Sequence, residues 1–127
     1  MLHEPVMTRE AIAFLQPEKG GIFVDCTVGM GGHALALLEA GAARVIGLDR
    51  DPAALRIAAE TLDKYRDRVE LVHSDYRAIA AVLEARGIDR VDGTLADMGM
   101  SSYQLEAAGV PSTRSIPRAS STAAIAR

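Results

Sequence analysis

Four short apolar runs alternate with segments of helical periodicity over the first hundred residues, and this alternation constrains the fold most. The runs are predicted strands at 22–24, 44–48, 69–73 and 91–96. Between them, apolar residues recur three or four positions apart, as they do on the inward face of a helix. Strands that alternate with helices predict an α/β fold with a parallel sheet and right-handed crossovers.

The helix ends are marked by residues with capping preferences. Asp51 is placed to cap the helix after the second strand, and Pro52 suits its first helical position. The inward face of this helix is predicted to consist of Leu55, Ala58, Ala59 and Leu62. An earlier helix is predicted over 8–16, with Thr8 as its cap and Pro17 as its stop.

Composition and charge limit the classes of function. The 127 residues suit one small domain, and the net charge of −3 argues against a chain that grips nucleic acid by itself. The single Cys26 forms no disulfide within the chain, and charged residues interrupt the first twenty positions, so no signal peptide is predicted. No apolar run reaches the roughly 18 residues of a membrane span, so we expect a cytoplasmic protein without membrane contact.

The character of the sequence changes after Gly109. Residues 110–127 are rich in Ser, Thr, Arg and Pro, and they show neither strand alternation nor helical period. We therefore expect one patterned domain over 1–109 and a disordered tail over 110–127. No strand is predicted after the fourth, so we expect an incomplete sheet whose fourth strand is an exposed edge.

The stretch D-C-T-V-G-M-G-G-H, from Asp25 to His33, lies between the first strand and the next helix. Glycines at such a junction let the backbone approach a ligand, and the helix start offers N–H groups. Gly29, Gly31 and Ala34 fit the dinucleotide-binding pattern. An acid, Asp49, follows twenty residues after Gly29, as that pattern also requires. A methyltransferase cofactor loop is the alternative.

The acid at the end of the first strand favours the methyltransferase alternative. A dinucleotide loop turns at its first glycine directly after the strand, whereas here four residues separate Val24 from Gly29. A carboxylate at Asp25 suits a ligand with a cationic end, such as the amino group of methionine. Taken singly, Asp25 and Asp49 are equally well explained as loop caps, but their place at the ends of adjacent strands favours a site. Cys26 is interpreted as a small buried hydrophobe.

Two further loops carry candidate residues. Asp75 and Tyr76 follow the third strand and could flank an adenine ring, although edge packing also explains Tyr76. Asp97 ends the fourth strand, and Gln104 follows in the same loop. If the first and fourth strands are neighbours, both residues face the glycine loop at a topological switch point, where ligands bind. His33 is explained equally by ligand binding and by helix capping.

Four sequence blocks resemble one family in their order and spacing. They are H-E-P-V-M at 3–7, D-C-T-V-G-M-G-G-H at 25–33, G-L-D-R-D-P at 47–52 and D-M-G-M-S-S-Y-Q-L at 97–105. Together they resemble the ribosomal RNA small-subunit methyltransferase H family, up to about Gly109. The resemblance implies a Rossmann-like methyltransferase fold and S-adenosylmethionine-dependent methylation of the N4 amine of a cytidine in 16S ribosomal RNA.

The resemblance also implies roles for individual residues. The implied cofactor contacts are Gly31, Gly32, His33, Asp49, Tyr76, Asp97 and Gln104. Among them, Asp49 would bind the ribose hydroxyls, Tyr76 would lie beside the adenine, and Asp97 and Gln104 would lie on the methionine side. Neither a metal nor a covalent intermediate is implied, because the sulfonium is already activated. We hypothesise that Asp97 is also catalytic, as an acceptor for the N–H of the cytosine amine.

The chain departs from the family in three places. Cys26 stands where the family usually has Gly, and Tyr103 stands where it usually has Pro. After Gly109 the family continues with an Arg-Gly-Phe-Ser-Phe stretch, further strands and an inserted helical domain. We therefore expect a truncated or frameshifted copy with weak or no activity, in which much of the RNA-binding surface is missing. A non-catalytic S-adenosylmethionine-binding fragment and a nicotinamide-dependent oxidoreductase domain stay as alternatives.

Overall fold

The strands and helices follow one another in the predicted order. The computed structural model describes residues 6–97, 114–115 and 122–126. The elements are α1 (Val6–Leu15), β1 (Ile22–Asp25), α2 (Gly32–Glu39), β2 (Arg44–Asp49), α3 (Pro52–Thr61), β3 (Val69–His73), α4 (Ile79–Ala85), β4 (Gly93–Asp97), β5 (Arg114–Ser115) and β6 (Thr122–Ala126). Within these described ranges, every helix is too short or too polar to span a bilayer.

Four of the strands run parallel, in the spatial order β3-β2-β1-β4. The chain proceeds outward from β1 to β3 on one side and then places β4 on the other side of β1. The switch point of the sheet therefore lies between β1 and β4, where Val24 pairs with Thr94. The predicted parallel sheet is confirmed. The first and fourth strands are neighbours, which is the condition under which a site at the switch point is expected.

Two apolar cores lie on the two faces of the sheet. Successive strand residues point to opposite faces, so Phe23 and Val45 pack on the side of α1, α2 and α3. Val24 and Ile46 pack on the side of α4. These four side chains are at most 1% exposed, and the burial of each contributes about 1.5–3 kcal/mol. The result is a rigid sheet that fixes the loops at its carboxyl edge.

The start of α3 agrees with its prediction. Asp51 is the N-cap, and its Oδ1 accepts a hydrogen bond from the Ala53 amide at 2.9 Å. Pro52 occupies the first helical position, where its missing N–H costs nothing. Ala58 and Leu62 are buried, as expected for the inward face.

Two local predictions about the helices are wrong. α1 begins at Val6, two residues before the predicted start, so Thr8 lies inside the helix rather than at its cap. Ala59 is exposed although its neighbour Ala58 is fully buried. The reason is that α3 packs through a single row of residues, and the next position along the helix turns about 100° away from that row.

The segment after Gly109 also differs from its prediction. β6 lies antiparallel along β4, with Ile125 opposite Thr94, and β5 pairs with β6. The expected exposed edge at β4 is therefore wrong, whereas the division into a domain over 1–109 and a disordered tail over 110–127 stays a prediction. Main-chain pairing needs no side-chain alternation, so the small residues T-A-A-I-A carry no strand pattern that sequence analysis detects.

Candidate functional site

A cavity of about 110 Å³ opens where β1, β2 and β3 end. Its lining consists of Cys26, Thr27, Asp49, Arg50, Ser74, Asp75 and Tyr76. The parallel sheet brings these residues together, because the segments that follow its strands all lie at one edge. Two of the predicted site residues, Asp49 and Tyr76, therefore share one cavity with the predicted flanking residue Asp75.

The glycine loop, residues 25–33, turns on two glycines with left-handed backbone. Gly29 has a φ of 55° and Gly31 a φ of 97°, values that residues with a Cβ rarely adopt. The Val28 amide donates to the Leu48 carbonyl at 2.7 Å, and the Gly31 amide donates to the Val28 carbonyl at 2.8 Å. These bonds attach the loop to the end of β2 and close it into a turn before α2.

The adjacent glycines of the loop have different surroundings. A Cβ on Gly31 would lie 3.3 Å from Cγ of Leu62 and 3.5 Å from Cα of Ala58, so its absence lets α3 pack closely. A Cβ on Gly32 would meet nothing within 4 Å. Gly31 is the N-cap of α2 and supplies no side-chain cap, which suits the first turn to an anionic ligand group. His33 is half-buried and is the second residue of α2, whereas Gly31 occupies the N-cap position.

The two residues at the start of the loop are buried. Oδ1 of Asp25 accepts a hydrogen bond from the Thr27 amide at 3.2 Å, so Asp25 does cap the start of the loop. Cys26 is 1% exposed. Its burial, together with the charge of Asp25, raises the pKa of the thiol. The interpretation of Cys26 as a buried hydrophobe is therefore confirmed.

Asp49 is held by main-chain groups from two loops. Its Oδ2 accepts a hydrogen bond from the Gly29 amide at 2.8 Å, and its Oδ1 accepts one from the Asp51 amide at 2.9 Å. The side chain is half-buried at the cavity wall. Because a carboxylate offers about four lone-pair sites, Asp49 retains the capacity to accept hydrogen bonds from a ligand's hydroxyl groups.

Asp75 is held by arginines. Arg77 donates from Nε to Oδ1 at 3.0 Å and from Nη2 to Oδ2 at 3.2 Å, while Nη1 of Arg50 lies 3.6 Å from Oδ2. Hydrogen bonds from the side chain and the amide of Arg77 lower the pKa of Asp75, which is therefore ionised at neutral pH. Tyr76 is half-buried and packs against the core under α4. Edge packing thus occurs at Tyr76, and it fixes the ring at the cavity wall.

The fourth strand approaches the same edge. The Cys26 amide donates to the Leu95 carbonyl at 2.8 Å, which joins the start of the glycine loop to β4. Asp97 is the last residue of β4, so its backbone lies at the carboxyl edge beside that loop. The side chain of Asp97 and the whole of Gln104 lie outside the described residues, and their roles stay predictions.

Sequence reasoning missed three polar residues around the cavity. Arg50 and Ser74 directly follow the ends of β2 and β3, so their position after a strand was a usable signal. Arg77 was detectable only as a cation two residues from Asp75, a weak signal because charged residues are common in loops. The cavity lining and the nearby start of α2 together provide carboxylates that can accept from hydroxyl groups, an aromatic ring and main-chain N–H groups. These groups suit a nucleoside with a charged group at one end.

The comparison with known sequences matches this chemistry. The sequence profile of the MraW methylase family matches residues 1–109. Relatives named ribosomal RNA small subunit methyltransferase H, from Geotalea uraniireducens and Anaeromyxobacter dehalogenans, are 49% identical over 108 residues and 50% identical over 106 residues. Each alignment covers 84% of this chain but 35% and 34% of the relative. The chain therefore spans about a third of the length of the curated relatives it matches.

Solved structures share the fold. An RNA methyltransferase from Salinibacter ruber, solved with S-adenosyl-L-homocysteine, has a TM-score of 0.59 at 13% identity, covering 98% of this chain and 91% of that one. An Escherichia coli protein provisionally described as a methyltransferase has a TM-score of 0.63 at 16% identity, covering 96% and 85%. These likenesses establish the Rossmann-like methyltransferase fold alone. The sequence match establishes more: the chain belongs to the MraW methylase family.

Proposed function

We propose that the chain binds S-adenosylmethionine at the carboxyl edge of its sheet, as the cofactor-binding part of a ribosomal RNA methyltransferase. The observation that carries the proposal is the cavity shared by Asp49 and Tyr76 beside the glycine loop. Asp49 would accept hydrogen bonds from the ribose hydroxyls, and Tyr76 would pack against the adenine. Gly32 and His33, in the first turn of α2, would hold the methionine carboxylate.

The remaining cofactor residues are proposed on different grounds. For Gly31 the ground is packing: α3 fills the space where a Cβ would lie, so the absence of a side chain allows the loop to pack closely against that helix. Asp97 and Gln104 are proposed on the methionine side from the family resemblance and from the position of β4 beside β1. The lining suits a nucleoside, since it includes carboxylates that can accept hydrogen bonds from hydroxyl groups and an aromatic ring that can pack against a base.

We further propose that the methyl acceptor is the N4 amine of a cytidine in 16S ribosomal RNA. S-adenosylmethionine supplies an already activated methyl group, so the protein's task is to align amine and methyl group at contact distance. The cytosine amine is a weak nucleophile because its lone pair is shared with the ring. Asp97 would accept a hydrogen bond from that amine and so return electron density to the nitrogen.

The small ribosomal subunit is the proposed partner, and we accordingly place the protein in the cytoplasm. The chain carries a net charge of −3, so its general attraction for RNA phosphates is expected to be weak. We therefore expect cofactor binding to be easier to detect than subunit binding.

Equilibrium dialysis with labelled S-adenosylmethionine and, separately, with NAD tests the cofactor. We expect S-adenosylmethionine to be preferred; a preference for NAD would indicate an oxidoreductase domain instead, and failure to bind either would reject the proposal. Methyl transfer is tested by incubation with undermethylated small subunits and analysis for N4-methylcytidine. Binding without transfer would indicate a non-catalytic cofactor-binding fragment. An Asp97→Asn variant that binds cofactor and methylates at the normal rate would rule out the role given to Asp97.

A further inference from the structure

The end of β2 continues its contact with the glycine loop beyond the last paired residues of the sheet. The register of β1 and β2 ends with Asp25 opposite Gly47. Past that point the Val28 amide donates to the Leu48 carbonyl at 2.7 Å, and the next amide, that of Gly29, donates to Oδ2 of Asp49 at 2.8 Å. The side chain of Asp49 thus provides the acceptor for the loop amide that follows the one bound by the β2 backbone.

The other oxygen of the same carboxylate binds the segment that directly follows β2. Oδ1 of Asp49 accepts the Asp51 amide at 2.9 Å, just before α3 begins. One side chain therefore joins the glycine loop to the turn that leads into α3. Gly29, the donor on the loop side, has a left-handed φ of 55°, so the bond acts at the point where the loop changes direction.

We propose that Asp49 is a positioning residue that holds the glycine loop in its ligand-binding shape before any cofactor arrives. Two of the roughly four lone-pair sites of its carboxylate are occupied by amides, and two are left for the vicinal hydroxyls of a ribose. The ribose contacts rest on the proposed function, whereas the positioning of the glycine loop does not. The order of the loop and the affinity for a ribose-containing cofactor are then coupled through one carboxylate.

Amide exchange by NMR on the full 127-residue chain without cofactor tests the positioning role. In Asp49→Ala the Gly29 amide is expected to exchange about tenfold faster or more, because a hydrogen bond to a charged group is lost. The Val45 amide, which donates to the Arg68 carbonyl in the sheet, should exchange at its original rate. If Asp49→Ala fails to fold, the isosteric Asp49→Asn is expected to give a smaller acceleration at Gly29 alone.

A matched control separates a specific bond from general packing. The Asp51 carboxylate caps α3 through the Ala53 amide, whereas the Gly29 amide donates to Asp49. Asp51→Asn should therefore leave the exchange rate of the Gly29 amide unchanged.

The outcomes separate this proposal from the cofactor proposal. Faster Gly29 exchange in the Asp49 variants supports the positioning role even if the protein binds no S-adenosylmethionine. Unchanged Gly29 exchange in a folded Asp49→Ala or Asp49→Asn overturns it even if S-adenosylmethionine binds normally. Gly29 exchange that is accelerated equally by the control Asp51→Asn also overturns it.

Discussion

The carboxyl ends of β2 and β3 each lead to an aspartate at the cavity, and the two carboxylates are held in different ways. Asp49 accepts from the amides of Gly29 and Asp51, which are main-chain groups. Asp75 accepts one main-chain amide, that of Arg77 in its own turn, and its other partners are the side chains of Arg50 and Arg77, which are 71% and 73% exposed. Main-chain donors cannot leave without deforming a loop, whereas exposed arginines can exchange their partner for water at small cost. The difference assigns Asp49 to the shape of the site and Asp75 to its charge.

The largest expected effect is on cofactor binding. Asp49→Ala is expected to raise the dissociation constant for S-adenosylmethionine about 100-fold or more, since it removes the two proposed ribose contacts and the proposed positioning of the loop. Asp75→Ala is expected to raise it about tenfold or less. Equilibrium dialysis measures both.

Asp51→Ala is the matched control for these variants. It removes a carboxylate two residues after Asp49. This carboxylate caps α3 and lies outside the cavity lining. It should cost about 1 kcal/mol of stability and leave the dissociation constant unchanged. A greater loss of affinity in Asp75→Ala than in Asp49→Ala would reverse the comparison.

The second effect concerns the attachment of the loop to β2. A Cβ on Gly47 would lie 2.8 Å from Cγ2 of Val28 and 3.2 Å from Cδ2 of Leu71, so Gly47→Ala overpacks the space beneath the loop. We expect the free energy of unfolding, measured with urea, to fall by about 1–3 kcal/mol. Gly32→Ala is the control: it meets nothing within 4 Å and should leave stability unchanged or slightly raised. Equal stabilities of the two variants would mean that the Val28 side chain moves away from the added methyl group without cost.

These two strand ends also show what the sequence can and cannot predict. The cap of α3 at Asp51 was predictable because capping depends on neighbours in sequence. The parallel sheet followed from strand–helix alternation, whereas the adjacency of β1 and β4 entered only as a condition, since alternation does not fix the order of the strands. The bond from Gly29 to Asp49 was not predictable in this detail, since spacing indicates two residues near a site without indicating which atoms meet. The need for glycine at position 47 depends on Val28 and Leu71, which only the folded sheet brings together.

A third, smaller effect is the pH dependence of stability that arises from Asp75, after the end of β3. The pKa of Asp75 in the folded protein is lowered by Arg77, so its contribution to stability is complete above the unfolded pKa and is lost as pH falls through the folded one. Below about pH 4 the parent chain should lose stability that Asp75→Asn does not lose. The difference should be under about 1 kcal/mol, because the ion pairs are exposed.

Urea unfolding at several pH values from about 5 downward measures this difference. The pKa of Glu70 is also lowered, chiefly by a hydrogen bond from Arg86, so Glu70 titrates in the same region. Because Glu70 is present in both the parent chain and Asp75→Asn, its contribution cancels in their difference. Identical acid profiles would mean that the charge of Asp75 contributes nothing to the folded state.

The smallest effect distinguishes the two arginines around Asp75. Arg50 lies 3.6 Å from Oδ2, whereas Arg77 makes two hydrogen bonds, so Arg50→Ala should change the free energy of unfolding by less than about 0.5 kcal/mol and Arg77→Ala by somewhat more. If exposed arginines replace one another at Asp75, the loss in the double variant should exceed the sum of the two single losses, because Arg50 can move closer once Arg77 is gone. Strictly additive losses would mean that the two arginines act on Asp75 independently and that neither replaces the other.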